Sequence, residues 1–307
     1  MKLPQPGNDH SETEAADTNK GSSALGNSAS ILNEATEIIR HYYGGAMESL
    51  FVEKVIIGVF FTGIKFSNGC GGVAYTPPEA VSNAGRRILR GSSSAVCGLS
   101  AEAVISGNTP NPFAGIIRLA AINALSLPLF EDGRYIPGQN NDLADLPHLF
   151  AGRRICMVGA IIPLLKRLKE LSVGEIKVID RKKDSRIEVE LACGEFIAPQ
   201  QTADVLARCE TAVFTGASIA NGSIEHLLSL VPRDAVVAVV GPTAGFIPEP
   251  LFRRNVAAVG TSMVTDIDAA LDIIAEGGGA YRLFGGCVRK INLVNRNRLE
   301  QLELADS

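Results

Sequence analysis

Thr211-Ala-Val-Phe-Thr215, Gly216-Ala-Ser-Ile-Ala-Asn221, a helix-like stretch from Gly222 to Leu230, then Ala235 to Val240 and Gly241-Pro-Thr-Ala-Gly245: this succession decides the fold. Two apolar runs each end in a polar loop bearing glycine, and a helix-length segment separates them. Strands joined by a helix-length crossover pair parallel by default, so an open α/β sheet is expected. In such a sheet the ligand crevice lies outside the carboxyl ends of the strands. The loops after Thr215 and Val240 are therefore half of a candidate site.

The alternation continues on both sides, over residues 151–297. Upstream, Arg154 to Val158 reads as the first strand, Pro163 to Leu171 as a helix with proline in its first turn, and Ile176 to Ile179 as a strand ending in Asp180. A further short strand is expected over Ile187 to Leu191, and a helix from about Gln200 to Cys209. Downstream come a short helix over Pro248 to Arg253, a strand over Val256 to Val259, and a helix opened by Thr265-x-x-Asp268 and closed by Gly277-Gly-Gly279. Val288 to Val294 is the last strand. The fold class expected is α/β, a doubly wound, mostly parallel sheet preceded by a smaller α+β domain over residues 31–130.

That smaller domain opens with helical spacing at Ile31, Ala35, Ile38 and Ile39 after Ser30. Phe51 to Phe66 reads as a strand or bent pair broken near Thr62-Gly63, and Gly72 to Tyr75 as another, with Ser67-Asn-Gly-Cys-Gly-Gly72 as the hairpin connection. Ala80 to Leu89 is expected to be helical. Ala114 to Leu125 is apolar almost all round, so its helix should be buried. Residues 1–30 are polar and lack an apolar signal-peptide core, which reads as a disordered leader; residues 131–150 read as a linker and 298–307 as a tail.

Composition excludes several classes. Net charge is -4 with scattered basic residues, aromatics are 6% and tryptophan is absent, which argues against a nucleic-acid surface. Apolar runs such as Val55 to Phe61 fall short of the about 20 residues a membrane helix needs. Six cysteines without a CxxC pair suggest neither a zinc knuckle nor a disulfide framework, so a soluble, cytoplasmic protein is the expectation.

Val158-Gly-Ala160, with Asp180 about twenty residues on, matches the geometry in which an acidic side chain accepts from ribose hydroxyls. Gly159-Ala-Ile-Ile-Pro163 lacks the second and third glycines of GxGxxG, which disfavours a dinucleotide and leaves a nucleoside-like ligand such as S-adenosylmethionine. Asp180 reads equally as a solvated strand end beside Arg181. Gly216 to Asn221, with Thr215, Ser218 and Asn221, offers amides and side chains to an anion or carboxylate, or else simply caps the following helix. Gly241 and Thr243 either face the same crevice or make a tight turn. Lys65, Asn68 and Cys70 form a polar set in the first domain that would face Asp180, Ser218 and Thr243 if that domain closed over the sheet. His226 reads as a partly exposed helical residue, and no catalytic triad is visible.

Taken together, Thr215-Gly-Ala-Ser-Ile-Ala-Asn-Gly-Ser-Ile-Glu-His-Leu-Leu228, Gly241-Pro-Thr243, Leu251-Phe252, Val264-x-Asp266 and Glu276-Gly-Gly-Gly279 resemble the bacterial and archaeal proteins described as putative heavy-metal chelation proteins. Gly72-Val-Ala-Tyr-Thr76 and Ala120-Ala-Ile-Asn-Ala124 resemble their companion domain. The resemblance spans roughly residues 31 to 294. It implies an enolase-N-terminal-like first domain, a Rossmann-like second domain and a ligand site between them. It transfers no catalytic residues, and thiol or imidazole clusters at metal-ligand spacing are missing; a metal could instead arrive already chelated by a small organic ligand. The long polar leader departs from the family pattern.

The function expected is small-molecule binding between the domains. In the enzyme reading Asp180 holds the ribose of S-adenosylmethionine, with Gly159, Gly216 and Gly241 at the strand ends. The Gly216 to Asn221 loop takes the amino-acid carboxylate, and Lys65 or Asn68 takes the other reactant. The competing reading is a noncatalytic carrier or sensor of a metal chelate. A homodimer is the default assembly.

Overall fold

Apolar runs of two kinds sort into two sheets. The computed structural model describes residues 30–82, 95–107, 109, 111–131, 142–182 and 184–304. The smaller sheet is antiparallel, in the order β1 (Val52–Ile57), β2 (Phe61–Phe66), β3 (Gly71–Tyr75). The larger has seven strands: β4 (Ile155–Val158), β5 (Ile176–Ile179), β6 (Glu195–Ile197), β7 (Thr211–Thr215), β8 (Val236–Val240), β9 (Ala258–Val264) and β10 (Val288–Val294). Their spatial order is β10-β9-β8-β7-β4-β5-β6. β4 to β9 run parallel, and β7 and β8 are buried along almost their whole length, as strands covered on both faces must be.

β10 departs from the parallel default and pairs antiparallel with β9 over seven residues, Val288 with Val264 through to Val294 with Ala258. The reason lies in what the intervening helix covers. Ile267–Ala275 packs on β1 and β2 of the small sheet instead of crossing the large one. The excursion returns to its starting edge, where Thr265 N donates to Cys287 O at 2.9 Å, so the chain can only run back.

The small sheet is held between two helices by glycines on alternate faces. A Cβ on Gly71 would meet Ile267 Cγ1 at 2.1 Å, and one on Gly72 would meet the Ala120 carbonyl at 2.3 Å. Gly71 therefore seats the Ile267–Ala275 helix, and Gly72 seats the buried Ala114–Glu131 helix. One hydrophobic cluster joins the two halves, with Ile64 and Ala120 on one side and Phe246, Ile247 and Leu251 on the other; a second cluster fills the opposite face of the large sheet.

Several local expectations shift. Ile187 to Leu191 is helical, within Ser185–Leu191: only Val189 faces the core, Arg186 Nε pairs with Glu190 Oε1 one turn on at 2.8 Å, and the strand falls beyond Gly194. The bend in the first apolar run lies at Gly58-Val59-Phe60 rather than Thr62-Gly63, because Gly63 sits mid-strand beneath Leu271. The cap before Ile267 is Asp266, whose Oδ1 accepts from Ala269 N at 3.0 Å, rather than Thr265. Leu143, Ala144, Leu149 and Phe150, at the end of the expected linker, are core residues, and Arg296–Gln301 is a helix whose Leu299 is buried. Ser30 caps Ile31–Tyr43 as expected. Residues 1–29, 132–141 and 305–307, and the end of the expected Ala80 to Leu89 helix, lie outside the described residues. No described helix is long and apolar enough to cross a membrane.

Candidate functional site

β4 lies between β5 and β7, so the order in which successive strands are added reverses at the β4–β7 boundary, while the strands themselves stay parallel. Strand-end loops part there and leave a crevice. A cleft of about 790 Å³ occupies that position. Its floor is the loops after β4 (Gly159, Ala160), β5 (Asp180, Arg181, Lys182), β7 (Thr215 to Ser218, Asn221) and β8 (Gly241 to Thr243). Its roof comes from the small sheet: Phe61 and Tyr75, whose rings meet edge to face at 6.5 Å, with Pro77, Pro78 and Glu79.

Gly159 is required where it stands. Its φ is +90°, and a Cβ would lie 2.3 Å from Thr215 Cγ2 across the β4–β7 boundary. Asp180 is drawn into the same loop: Oδ2 accepts from Ala160 N and Oδ1 from Lys182 N, each at 2.8 Å. A carboxylate has about four lone-pair sites, so both oxygens keep capacity toward the cleft. The loop is a poor pyrophosphate cradle, since the Ala160 amide is held by a carboxylate, that of Ile161 faces Met157 Sδ at 3.5 Å, and Pro163 has none.

The Gly216 to Asn221 segment is itself a short helical turn, Ala217–Ala220, with Gly216 at its start. Asn221 Oδ1 accepts from Ser223 N at 3.1 Å and from Ser223 Oγ at 2.7 Å, a local turn, and neither side chain caps Ile224–Ser229. Ser218 is buried and donates to Thr215 O at 2.7 Å. His226 is exposed.

Thr243 is buried at the cleft floor and tied to the roof, its Oγ1 accepting from Tyr75 N at 3.0 Å. Asn123 of the Ala114–Glu131 helix completes the tie: its Nδ2 lies 2.7 Å from Val73 O, 3.3 Å from Pro242 O and 3.2 Å from Thr243 O. Ser126, one turn on, accepts from Ile247 N at 3.0 Å. At the mouth Arg181 and Glu79 form an exposed ion pair at 3.4 Å between floor and roof.

The structure brings Gly159, Asp180, Thr215, Gly216, Ser218, Asn221, Gly241 and Thr243 together around one cleft. It does not bring Lys65, Asn68 or Cys70 there. Lys65 pairs with Gly71 at the far end of the hairpin from Phe61 and Tyr75, about 13 Å along the strand. Its ammonium is bound to Asp268 at 2.8 Å, with Glu53 at 3.7 Å, and Asn68 Oδ1 accepts from Cys70 N at 3.1 Å in the turn. The strand order explains the correction, since the antiparallel hairpin presents its open end, not its turn, to the large sheet. Phe61, Tyr75, Glu79 and Asn123 were not singled out from sequence; a lone amide in the apolar Ala120 to Leu125 run was the signal for Asn123.

Among the described residues no three His, Cys, Asp or Glu side chains gather as a metal-binding set. The described side chains at the cleft do not suit a bare heavy-metal ion held by them alone.

Two family profiles match the chain, over residues 142–293 and 40–126, and both carry the description "Putative heavy-metal chelation". A protein of unknown function from Pyrococcus horikoshii, from the family matched over 142–293, is similar at 20% identity with a TM-score of 0.66, covering 87% of this chain and 100% of its own. A second from Desulfitobacterium hafniense, of the same family and also of unknown function, is similar at 18% identity with a TM-score of 0.60, covering 86% and 99%. These likenesses concern the fold. No curated protein matches.

Proposed function

We propose that this chain, which belongs to the family described as "Putative heavy-metal chelation", binds a nucleoside-like small molecule of the S-adenosylmethionine type in the cleft at the β4–β7 boundary. The observation that carries the reading is Asp180: an acidic side chain at the end of the second parallel strand, oriented by the glycine-loop amide of Ala160, with acceptor capacity left for a pair of ribose hydroxyls. The base would lie beyond β5 beside Arg181 and Pro199, where a guanidinium can stack on an aromatic face. The polar end would reach toward the turn after Thr215. Chemistry on such a ligand would draw on groups at the cleft rather than on Lys65 and Asn68.

Calorimetric titration with S-adenosylmethionine and with adenosine tests this. Saturable binding is expected, weakened about 10- to 100-fold by Asp180→Ala, the loss of one or two hydrogen bonds to a charged acceptor. An unchanged dissociation constant in that variant removes the assignment.

A second reading draws on the rim. Arg181 and Lys182 line the mouth, and the described residues gather no metal-ligand set, which suits an anionic complex bringing its own metal to a carrier. Native mass spectrometry with elemental analysis of the isolated protein separates the two readings. A released adenosyl compound supports the first, and a stoichiometric metal with an organic chelator supports the second.

A further inference from the structure

On the other side of the strand-end loops lies a second chamber of about 770 Å³, and Ala160, Thr215, Gly241 and Pro242 line both it and the cleft. The lining chemistry differs. Ile161, Ile162 and Leu164 on one wall, Leu191 at the end of Ser185–Leu191, and Tyr281 and Phe284 opposite make it predominantly apolar. Leu191 and Tyr281, at 75% and 82% exposed, stand among the few large apolar side chains left open to solvent. Concave apolar walls with a few fixed polar groups, at a volume of about 300–1,000 Å³, are the usual form of a small-molecule site.

The polar groups are largely spent within the protein. Lys290 Nζ is 2.7 Å from Asp142 Oδ2 and sits over the Phe284 ring at 5.4 Å. Thr261 Oγ1 donates to Gly241 O at 3.0 Å. Lys166 and Glu188, of opposite sign, are exposed where they border the chamber. The four charged groups of the lining cancel, two of each sign, so a charged ligand would meet no net countercharge. The exception is Asn292, which is 4% exposed: its Nδ2 donates to Asp142 O at 3.0 Å, but its Oδ1 accepts nothing. Buried acceptors are seldom left so.

We propose that this chamber is a second small-molecule site, for a neutral, predominantly apolar compound carrying a hydrogen-bond donor. The assignment rests on the chamber's own walls and not on the nucleoside reading. Its ligand would lie against the opposite side of the residues that line the cleft, so two compounds held at once would be separated by Thr215 and Gly241.

The test is fluorescence titration of the full chain with N-phenylnaphthylamine, a neutral aromatic compound with one N–H whose emission rises in apolar surroundings. Saturable binding at one site per chain is expected. Leu191→Arg and Phe284→Ala, on two different walls, should each weaken it about tenfold by removing apolar contact. Leu191 is exposed, so its variant should keep the wild-type unfolding midpoint. Anilinonaphthalene sulfonate, a charged relative, should bind about tenfold more weakly than the neutral dye. Absence of saturable binding, or unchanged affinity in both variants, overturns the site. Equal affinity for the sulfonate overturns the ligand class.

Discussion

Gly159→Ala tests the joint on which the cleft turns. At φ +90° a residue with a Cβ carries backbone strain of about 1–3 kcal/mol. The new methyl would also stand 2.3 Å from Thr215 Cγ2 and 2.9 Å from its Cβ, and relieving such an overlap in a packed wall costs about 1–3 kcal/mol more. The sum, about 2–6 kcal/mol, is a large part of the about 5–15 kcal/mol that holds a typical domain folded. Thr215→Ser removes Cγ2 and by itself should cost about 0.5–1.5 kcal/mol, as loss of one methyl does. The double variant should then be more stable than the sum of the two single changes requires, by about 1–2 kcal/mol, since the overlap eases while the strain remains. Urea unfolding followed by circular dichroism of the four proteins measures the cycle. Strict additivity would refute the steric half of the reasoning, and a Gly159→Ala cost below about 1 kcal/mol would refute both halves.

Thr243→Val should destabilise the fold by about 1–3 kcal/mol and speed hydrogen exchange at the Tyr75 amide, because that buried donor loses its acceptor, whereas Thr243→Ser should retain both properties; equal behaviour of the two would remove the tie between floor and roof. Burial pushes the Cys156 thiol up to about 12 and the Cys209 thiol up to about 11. Both should stay silent to an aromatic disulfide reagent at pH 8 until denaturant is added, while exposed Cys97 and Cys193 react at once; early modification of Cys156 in peptide mapping would contradict the packing. On acidification, burial alone would raise Glu34 and Asp142, but hydrogen bonds from Arg254 and Arg253 to the first and from Lys290 to the second bring both below the ordinary carboxylate range. Their contribution is therefore complete above the ordinary carboxylate range and is lost as pH falls below that range through the depressed folded values. The unfolding midpoint should fall in that window, and a Glu34→Gln, Asp142→Asn double variant should show a flatter decline; an identical decline would assign the acid loss elsewhere.

Periodicity made the large sheet legible because β7 and β8 are continuous apolar runs between glycine loops, and strand-end position made eight cleft residues legible with it. The misreadings share a physical cause. Ile187, Val189 and Leu191 alternate with Glu188 and Glu190, the period of a half-buried strand, and a window of five residues does not separate that from a helix on which Ile187 and Leu191 stand exposed and Val189 is buried. The parallel default fails at β10, although a helix of crossover length precedes it; what reverses the strand is that helix's attachment to Gly63 and Gly71 of the other sheet, a contact between residues some two hundred positions apart. The same kind of information was missing for Lys65 and Asn68. Sequence places them at a strand end with polar neighbours, and only the packing of the hairpin tells which of its two ends meets the crevice.

The packing also decides how that crevice is used. The roof does not hang from the floor by an exposed hinge. Asn123 reaches three carbonyls, Thr243 accepts from Tyr75, Ser126 accepts from Ile247, and all are buried against the apolar cluster that both halves share. Swinging the small sheet away would strand these donors and acceptors at about 1–3 kcal/mol for each one left unpaired, and would expose core surface as well. The exposed Glu79–Arg181 pair at the mouth is by contrast worth little, about 0–1 kcal/mol, and a ligand carrying its own charge can replace it. The cleft is thus held in one shape, with the resistance to opening concentrated along the Asn123 to Thr243 seam and the weakest tie at the Arg181 rim. A ligand of the proposed kind would spend none of its binding energy there on closing domains, which is the condition under which a few well-placed groups such as Asp180 would suffice to hold it.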